Sequence, residues 1–306
     1  MKLDRVLFFP VTPFDARGAV DTEVLAEHLR RSLAHRPGAV FAACGTGEVH
    51  ALSVAEQATV VATAAEVTPG DIPVFAGAGG PLPTALEQVR GAADAGAQAI
   101  LLLPPYLVNA PQRGLVEYVR TVAEASPLPV VFYQRGNAVL TVDSAVEVAR
   151  MPNVVGIKDG VGDLDRLHAI VLAVRDAVGE DFLFFNGLPT AELTAGAYRG
   201  IGVDLYSSAA FAFVPEVSAA FHAALGEDED LVSRLLTGFY QPLAALRDTT
   251  PGYAVALVKA GQALRGLDVG PVRPPLVPPT EEDLRTLSAL IDTGLEIAGT
   301  ASTGRS

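Results

Sequence analysis

The stretch "MPNVVGIKDG" (151–160) contains an unbroken apolar run that ends in a lysine, Lys158. Continuous apolarity, without alternation, is typical of a strand that is covered on both faces, as in a parallel sheet. Runs of this kind recur along the chain and predict eight strands: RVLFFPV (5–11), AVFAA (39–43), IPVFAGA (72–78), QAILLL (98–103), PVVFY (129–133), VVGIK (154–158), FLFF (182–185) and GVDLYS (202–207).

Segments with helical periodicity separate these strands, for example residues 22–36, 53–67 and 83–96. We expect the first helix to begin at Asp21 or Thr22 and the third to be closed by Gly96. Strand and helix alternate with a period of roughly 25 to 30 residues, which is typical of consecutive βαβ units. Eight such units favour an α/β fold of the (β/α)₈ TIM barrel type over a doubly wound open sheet.

The strand pattern stops near residue 213. Helical segments follow near 214–226, 229–247 and 252–266, and a last helix, near 281–298, follows the proline-rich stretch GPVRPPLVPPT (270–280). No low-complexity linker separates these helices from the barrel. We therefore expect two parts of a single structural unit: a barrel over residues 1–213 and a helical extension, residues 214–306, packed on it.

Composition excludes several classes of function. The net charge is −13 and the 22 basic residues are scattered, so the basic patch of a nucleic-acid-binding protein is absent. No apolar run is long enough to span a membrane, and the one near the N-terminus is too short for a signal peptide. The single cysteine, Cys44, cannot form an internal disulfide, which agrees with a reducing compartment. We expect a cytoplasmic protein without a membrane partner.

In a TIM barrel the chemically active groups lie at the carboxyl ends of the strands. Residues at the ends of five predicted strands are rich in polar groups, and they form the shortlist: CGTGE (44–48), YQRGN (133–137), Lys158, Asn186 with Gly187, and Tyr206 with Ser207 and Ser208. The sequence therefore predicts one polar site at this end of the barrel.

Lys158 is the sharpest candidate, because it alone among three lysines ends a predicted strand. Among apolar walls an ammonium group loses hydration, its pKa falls, and the neutral amine can attack a ketone to form a Schiff base. The alternative is that Lys158 pairs with Asp159 or extends out of the barrel mouth. Tyr133, at the end of the neighbouring strand, is either a proton shuttle or an aromatic plug at the rim.

The GTGE segment offers a second function. Gly45 and Gly47 expose backbone N–H groups, and Thr46 adds a hydroxyl, which together suit a carboxylate ligand. The alternative interpretation is an ordinary tight turn between strand and helix.

Cofactor sites are disfavoured. The GAGGP stretch (77–81) lacks the spacing of a dinucleotide-binding loop, and the five histidines lack metal-ligand spacing. Cys44 is interpreted as a small buried residue, because no histidine lies near it in sequence to activate the thiol. We expect no metal and no organic cofactor.

Four motifs carry a resemblance to a known family: CGTGE, PPY (104–106), FYQRGNAVL (132–140) and VGIKDG (155–160). In this order and at barrel-strand spacing they resemble the dihydrodipicolinate synthase / N-acetylneuraminate lyase superfamily over about residues 3–298. The loops GTGEVHALS, YQRGNAVLT and DLYSSAAFAFVP are most similar to its 5-dehydro-4-deoxyglucarate dehydratase branch. That resemblance implies a decarboxylating hydro-lyase of glucarate and galactarate breakdown that needs no cofactor.

The resemblance also implies roles for individual residues. Lys158 would form the Schiff base, Tyr133 would transfer protons, and the loop at Thr46 and Gly47 would hold the α-keto carboxylate. A homo-oligomer built as a dimer of dimers is implied as well, with Tyr106 at an interface or pocket.

Three departures from the synthase pattern matter. Gly45 stands where the synthases have a threonine, Leu107 replaces a tyrosine of their proton relay, and their arginine for the second substrate is missing near Ala138. The loss of the relay tyrosine at Leu107 disfavours aldehyde condensation.

We expect Arg135 to bind the distal carboxylate instead. We expect Asn186, Ser207 and Ser208 to contact the substrate's hydroxyl groups and distal carboxylate, although ordinary capping of strand ends is an alternative for all three.

Three other functions remain open from the sequence. The nearest is a pyruvate-dependent class I aldolase or synthase of the same superfamily. A non-catalytic sugar-acid binder would not need an amine and a phenol together at the strand ends, and a metal-dependent lyase would be recognised by its sensitivity to a chelator.

Overall fold

Eight parallel strands close into a barrel in the order in which they occur along the chain. The computed structural model describes residues 3–303, with side chains through residue 299. The strands are β1 (Leu7–Phe8), β2 (Ala39–Ala42), β3 (Val74–Gly80), β4 (Ala99–Pro105), β5 (Val130–Gln134), β6 (Val154–Asp159), β7 (Leu183–Asn186) and β8 (Leu205–Ser208). Pairing of β1 with β8 completes the ring, so the predicted (β/α)₈ barrel with its eight strands is confirmed.

Helices follow the strands and cover the barrel. The helices that connect one strand to the next are α1 (Thr22–Leu33), α2 (Val54–Val67), α3 (Leu82–Asp94), α4 (Gln112–Ala125), α5 (Val142–Ala149), α6 (Leu164–Val178) and α7 (Ala195–Gly200). The predicted start of α1 is confirmed, because the Asp21 carboxylate accepts a hydrogen bond from the Val24 N–H. Gly96 adopts the left-handed conformation just after the end of α3, as the sequence predicted.

The predicted helical tail follows β8. It contains α8 (Pro215–Ala224), α9 (Glu229–Leu235), a π turn (Leu236–Tyr240), α10 (Gln241–Arg247), α11 (Tyr253–Leu264) and α12 (Glu281–Thr303). In the part of the chain that the structure describes, no helix combines the length and the apolar character needed to cross a bilayer.

Barrel and tail meet in one apolar core. The larger of two buried clusters runs between the strands and their covering helices and continues into α8, α11 and α12. Gly261 of α11 lies directly against the Phe213 ring, where a β-carbon would come within 2.5 Å of it. We propose, on this continuous core, that the barrel and the tail form one structural unit.

The smaller apolar cluster fills the inside of the barrel. Phe9, Phe41 and Phe75 stack there, with successive ring centroids 4.4 and 4.3 Å apart, and Tyr133 and Phe185 belong to the same cluster. Aromatic packing of this kind excludes water from the interior. The site at the carboxyl ends of the strands therefore has an apolar floor.

Candidate active site

Lys158 lies near the end of β6 with its side chain inside the barrel. Its strand partners are Tyr133 on β5 and Phe185 on β7, which both belong to the inner apolar cluster. The Lys158 Nζ lies 4.0 Å from the centroid of the Phe9 ring and 4.4 Å from that of the Tyr133 ring. The side chain is only 4% exposed, so the amine is enclosed by apolar and aromatic groups.

These surroundings change the charge of the amine. Burial lowers the pKa of Lys158 to about 7, and the nearby Arg135 guanidinium acts in the same direction. The Cys44 thiol beside it stays protonated, because burial raises its pKa to about 12. A large fraction of Lys158 is therefore a neutral amine near pH 7, the form that attacks a carbonyl carbon.

Asp159 is not the partner of Lys158. Its carboxylate accepts hydrogen bonds from the Gln134 side chain at 2.6 Å, the Gly162 N–H at 3.1 Å and the Tyr198 hydroxyl at 2.5 Å. Successive side chains of a strand point to opposite faces, so this carboxylate lies outside the barrel wall while the amine lies inside. The alternative in which Lys158 pairs with Asp159 is therefore wrong.

Tyr133 places a phenol beside this amine. Its hydroxyl donates a hydrogen bond to the Gly187 carbonyl at 2.7 Å, which fixes the ring against the loop after β7. Burial raises the pKa of Tyr133, and the nearby Arg135 guanidinium opposes that shift. The resting phenol therefore carries its proton at neutral pH and can act as an acid.

A cavity of about 370 Å³ opens above Lys158 and Tyr133. Seven residues that the sequence predicted for the site line this cavity together: Gly45, Thr46, Tyr133, Arg135, Lys158, Gly187 and Ser207. Arg135 thus lines the cavity, although its place in the sequence does not show on which side of the barrel wall it lies. One cavity therefore combines an amine, a phenol, a guanidinium and hydroxyl groups.

The loop after β2 presents free donors at the edge of this cavity. The backbone N–H groups of Thr46 and Gly47 have no hydrogen-bond acceptor among residues 3–303, and the Gly47 carbonyl accepts a bond from the Thr12 hydroxyl at 2.7 Å. Gly47 itself is buried and does not line the cavity. Such a turn suits an anionic group that approaches Thr46.

Two residues expected to bind substrate lie outside the cavity wall. The Asn186 amide is fully used by Ala191, Thr194 and the Leu188 N–H, and the Ser208 hydroxyl bonds to Glu192 at 2.6 Å.

These positions follow from the alternation of side chains along a strand, because Phe185 and Ser207 point inward and their neighbours must point outward. Tyr106 also lies apart from the cavity and is 64% exposed.

The structure adds residues to the site that the sequence did not predict. His50 follows the GTGE turn and lines the cavity, as does Thr190 after β7. The tail also contributes to the wall through residues 252, 254 and 255, at the start of α11, and through Leu276. Their sequence carries no strand-end signal, so only the packing of the tail on the barrel identifies them.

Gly187 leaves no room for a side chain beside the amine. A β-carbon there would lie 2.5 Å from Lys158 Cε and 2.9 Å from the Asp159 carbonyl oxygen. We expect Gly187→Ala to displace the lysine and to lower kcat by roughly 100-fold, because small displacements of a reacting group cost about this much. Steady-state kinetics and a thermal melt would measure the effect. Gly196→Ala is the control, since nothing lies within 4 Å of the added carbon; equal activity of both variants would contradict the prediction.

Comparison with known proteins agrees with this geometry. The model of the dihydrodipicolinate synthetase family matches residues 2–293. The chain is 54% identical to a probable 5-dehydro-4-deoxyglucarate dehydratase 1 of Streptomyces coelicolor, over 94% of this chain and 92% of the relative. It is 53% identical to the protein of the same name from Streptomyces avermitilis, again over 94% of this chain and 92% of the relative.

Solved structures share the fold. A dihydrodipicolinate synthase from Bacillus clausii has a TM-score of 0.86 at 25% identity and covers 95% of this chain and 97% of its own. A chloride-inhibited synthase from Acinetobacter baumannii, complexed with pyruvate, has a TM-score of 0.82 at 28% identity and covers 97% and 99%. With a family model that spans nearly all of its residues and relatives at more than 50% identity, this protein belongs to the dihydrodipicolinate synthetase family.

Proposed function

We propose that this protein converts 5-dehydro-4-deoxy-D-glucarate to 2,5-dioxopentanoate, CO₂ and water through a Schiff base on Lys158. The observation that carries the chemistry is the buried amine, which lies between two aromatic rings at the floor of the cavity. The choice of substrate is supported by the relatives named 5-dehydro-4-deoxyglucarate dehydratase. The enzyme is accordingly a hydro-lyase.

The reaction begins at the ketone next to the C6 carboxylate. The neutral Lys158 amine adds to C5, and the Tyr133 phenol donates its proton as the carbinolamine loses water. An iminium ion and a phenolate result, and the Arg135 guanidinium stabilises the phenolate. The iminium acidifies C4, whose proton the phenolate then removes to give an enamine.

Elimination and decarboxylation follow from this enamine. The enamine expels the C3 hydroxyl group, which leaves as water with the proton from Tyr133. In the resulting conjugated iminium, the C1–C2 bond breaks, CO₂ departs, and the electron pair moves through the conjugated system to nitrogen. The enol at C2 becomes the aldehyde as C3 and C4 take up protons, and water releases the product from Lys158.

The cavity walls supply the binding contacts in this proposal. The free N–H group and hydroxyl of Thr46 bind the C6 carboxylate beside the reacting ketone. Arg135 binds the C1 carboxylate on entry, and Ser207 contacts a substrate hydroxyl group. Arg135 and Thr46 oppose the repulsion that a protein of net charge −13 exerts on a dianion.

A pyruvate-dependent aldolase or synthase is less well supported. Leu107 stands in place of the relay tyrosine of the synthases and is 81% exposed outside the cavity. A cytoplasmic homo-oligomer built as a dimer of dimers, with Tyr106 at an interface, is part of our proposal and rests on resemblance to the family. Size-exclusion chromatography with light scattering would test the assembly.

Reductive trapping tests the reaction itself. The protein is incubated with 5-dehydro-4-deoxyglucarate and borohydride, and the intact mass, the modified peptide and the released CO₂ are measured. CO₂ is measured in a parallel reaction without borohydride. An adduct on Lys158 together with CO₂ release in that parallel reaction supports the proposal. An adduct without CO₂ release points to an aldolase, and the absence of any adduct would exclude a Schiff-base mechanism.

The low pKa of Lys158 predicts a pH dependence. Below about pH 7 the amine gains a proton, so kcat/KM is expected to fall about tenfold for each pH unit. Above pH 7 the rate constant should stay level, because the raised pKa of Tyr133 keeps the phenol protonated.

Arg135→Met is expected to move the midpoint to higher pH, since the guanidinium lowers the pKa of Lys158. Rate measurements from pH 5 to 9 check both effects. A flat profile would contradict the assignment of the amine as nucleophile.

A further inference from the structure

A second buried lysine lies close to the loop that carries Thr46. The Lys259 Nζ of α11 is 2.6 Å from Glu48 Oε1, and the two side chains are 4% and 0% exposed. Lys259 also donates to the Pro271 carbonyl at 2.9 Å and lies 4.1 Å from the centroid of the Phe14 ring. Neither member of this buried ion pair takes part in the proposed reaction.

Arg273 extends the same network toward α2. Its backbone N–H donates to Glu48 Oε2 at 2.9 Å, and its guanidinium donates to the Ala51 carbonyl at 2.6 Å and to the Glu56 carboxylate at 3.1 Å. Both oxygens of Glu48 are thus held by groups of the helical tail. These contacts fix the carboxylate from two sides.

The backbone at Glu48 explains why such an anchor is needed. Glu48 has a φ of 56°, in the left-handed region that non-glycine residues rarely occupy. It directly follows Thr46 and Gly47, whose N–H groups are free of acceptors in residues 3–303. The tertiary contacts of the side chain therefore hold the turn in a conformation that the residue would not favour by itself.

We propose that Lys259 is a positioning residue that acts through Glu48 to hold the Thr46 loop in the conformation that binds the α-keto carboxylate. The inference rests on the proposed function for the role of that loop. The helical tail would then affect how tightly the substrate binds, in addition to packing on the barrel. Lys259 does not touch the substrate.

The physical basis is the buried charge of Glu48. When Lys259 loses its amine, the carboxylate keeps, among residues 3–299, only the Arg273 N–H as a close partner. An unpaired buried charge forces its surroundings to rearrange. The nearest part free to move is the turn at residues 45–48, whose glycines allow other backbone conformations. The variant should therefore bind ligands less tightly when they are held through a carboxylate, whereas its affinity for ligands held only at Lys158 should not change.

The test compares trapping of pyruvate with trapping of hydroxyacetone, a ketone without a carboxylate. For each ligand, the concentration that gives half-maximal borohydride labelling of Lys158 is measured by mass spectrometry in the wild type and in Lys259→Met. We expect this concentration to rise about 10- to 100-fold for pyruvate in the variant, comparable with the loss of affinity when the outer-shell partner of a metal ligand is removed. Labelling by hydroxyacetone should stay unchanged.

Controls separate positioning from general damage. Lys259→Arg should recover most of the pyruvate labelling. Arg265→Gln removes an ion pair with Glu216 at the C-terminal end of α11 and should leave the labelling by both ligands unaffected. If Lys259→Met fails to fold, the double variant Glu48→Gln/Lys259→Met leaves no unpaired charge but still lacks the ion pair that anchors the left-handed backbone at residue 48, so it should show the same selective loss.

Each outcome decides the inference. Equal losses for both ligands, or no loss for pyruvate in a folded variant, would overturn the positioning role. Neither ligand requires the proposed substrate, so this result is independent of whether 5-dehydro-4-deoxyglucarate is turned over with release of CO₂.

Discussion

Replacement of Lys158 by alanine is expected to abolish turnover of 5-dehydro-4-deoxyglucarate, with a loss of at least about 10⁴-fold in kcat, the scale on which loss of a covalent nucleophile acts. Among residues 3–299, the amine is the only cavity-lining group that can form an imine with the ketone, and this imine accepts the electrons in both elimination and decarboxylation. CO₂ release and substrate consumption would be measured side by side. Substantial remaining activity of the alanine variant would contradict the Schiff-base mechanism.

Lys158→Arg is the matched control for charge. It keeps a cation on the same strand but supplies no free amine, because a guanidinium stays protonated. We expect it to be as inactive as the alanine variant and to form no borohydride adduct. The chain has only three lysines, at positions 2, 158 and 259, so the labelled peptide identifies the site without ambiguity.

Replacement of Tyr133 by phenylalanine is expected to lower kcat by about 10²- to 10⁴-fold, the range for loss of a general acid and base. The variant keeps the aromatic ring beside Lys158 and removes the hydroxyl that bonds to the Gly187 carbonyl. The amine remains, so slow formation of the adduct should persist while CO₂ release is lost. Stopped reactions analysed for both products would measure the two steps separately.

Tyr118→Phe is the control for the loss of a buried phenol. Tyr118 lies on α4 and does not line the cavity; its hydroxyl donates to the carbonyl of Leu103, a lining residue, at 3.2 Å. Burial raises its pKa as it does that of Tyr133. We expect this variant to keep near-normal kcat; parallel losses in both variants would instead indicate a structural effect of removing the phenol.

The sequence predicted the barrel because most of its strands are buried on both faces, as β2 and β5 are along their whole length. Runs such as 98–103 and 129–133 carry no polar alternation, and this signal comes from residues close together in the chain. The same reasoning placed Lys158 and Tyr133 at strand ends. Tyr133 of β5 is paired with Lys158 of β6 in the strand register, and this pairing brings the phenol and the amine together.

The alternation of side chains could have improved the site prediction. Ser207 and Ser208 are consecutive on β8, so they point to opposite faces and only one of them can face the cavity. The same rule separates Lys158 from Asp159. Application of this rule to each strand end would have removed Ser208 from the expected substrate contacts and excluded the pairing with Asp159.

Other parts of the site have no local signal. Lys259 lies in the middle of a helix more than 200 residues after Glu48, and nothing near it in sequence identifies its partner. The residues at the start of α11 reach the cavity only because the tail folds back over the barrel mouth. Contacts between such distant segments depend on tertiary packing, which periodicity does not encode.

Part of the cavity wall comes from residues near the C-terminal end of the chain, which the ribosome synthesises last. The eight strands of the described barrel, with Lys158 and Tyr133, precede residue 209. Residues 252, 254 and 255 and Leu276 complete the wall, and Lys259 and Arg273 hold the Thr46 loop. A ribosome adds about 5 to 20 residues per second, so several seconds separate the two stages. A nascent chain thus carries its reactive amine before the elements that select the substrate have emerged from the exit tunnel.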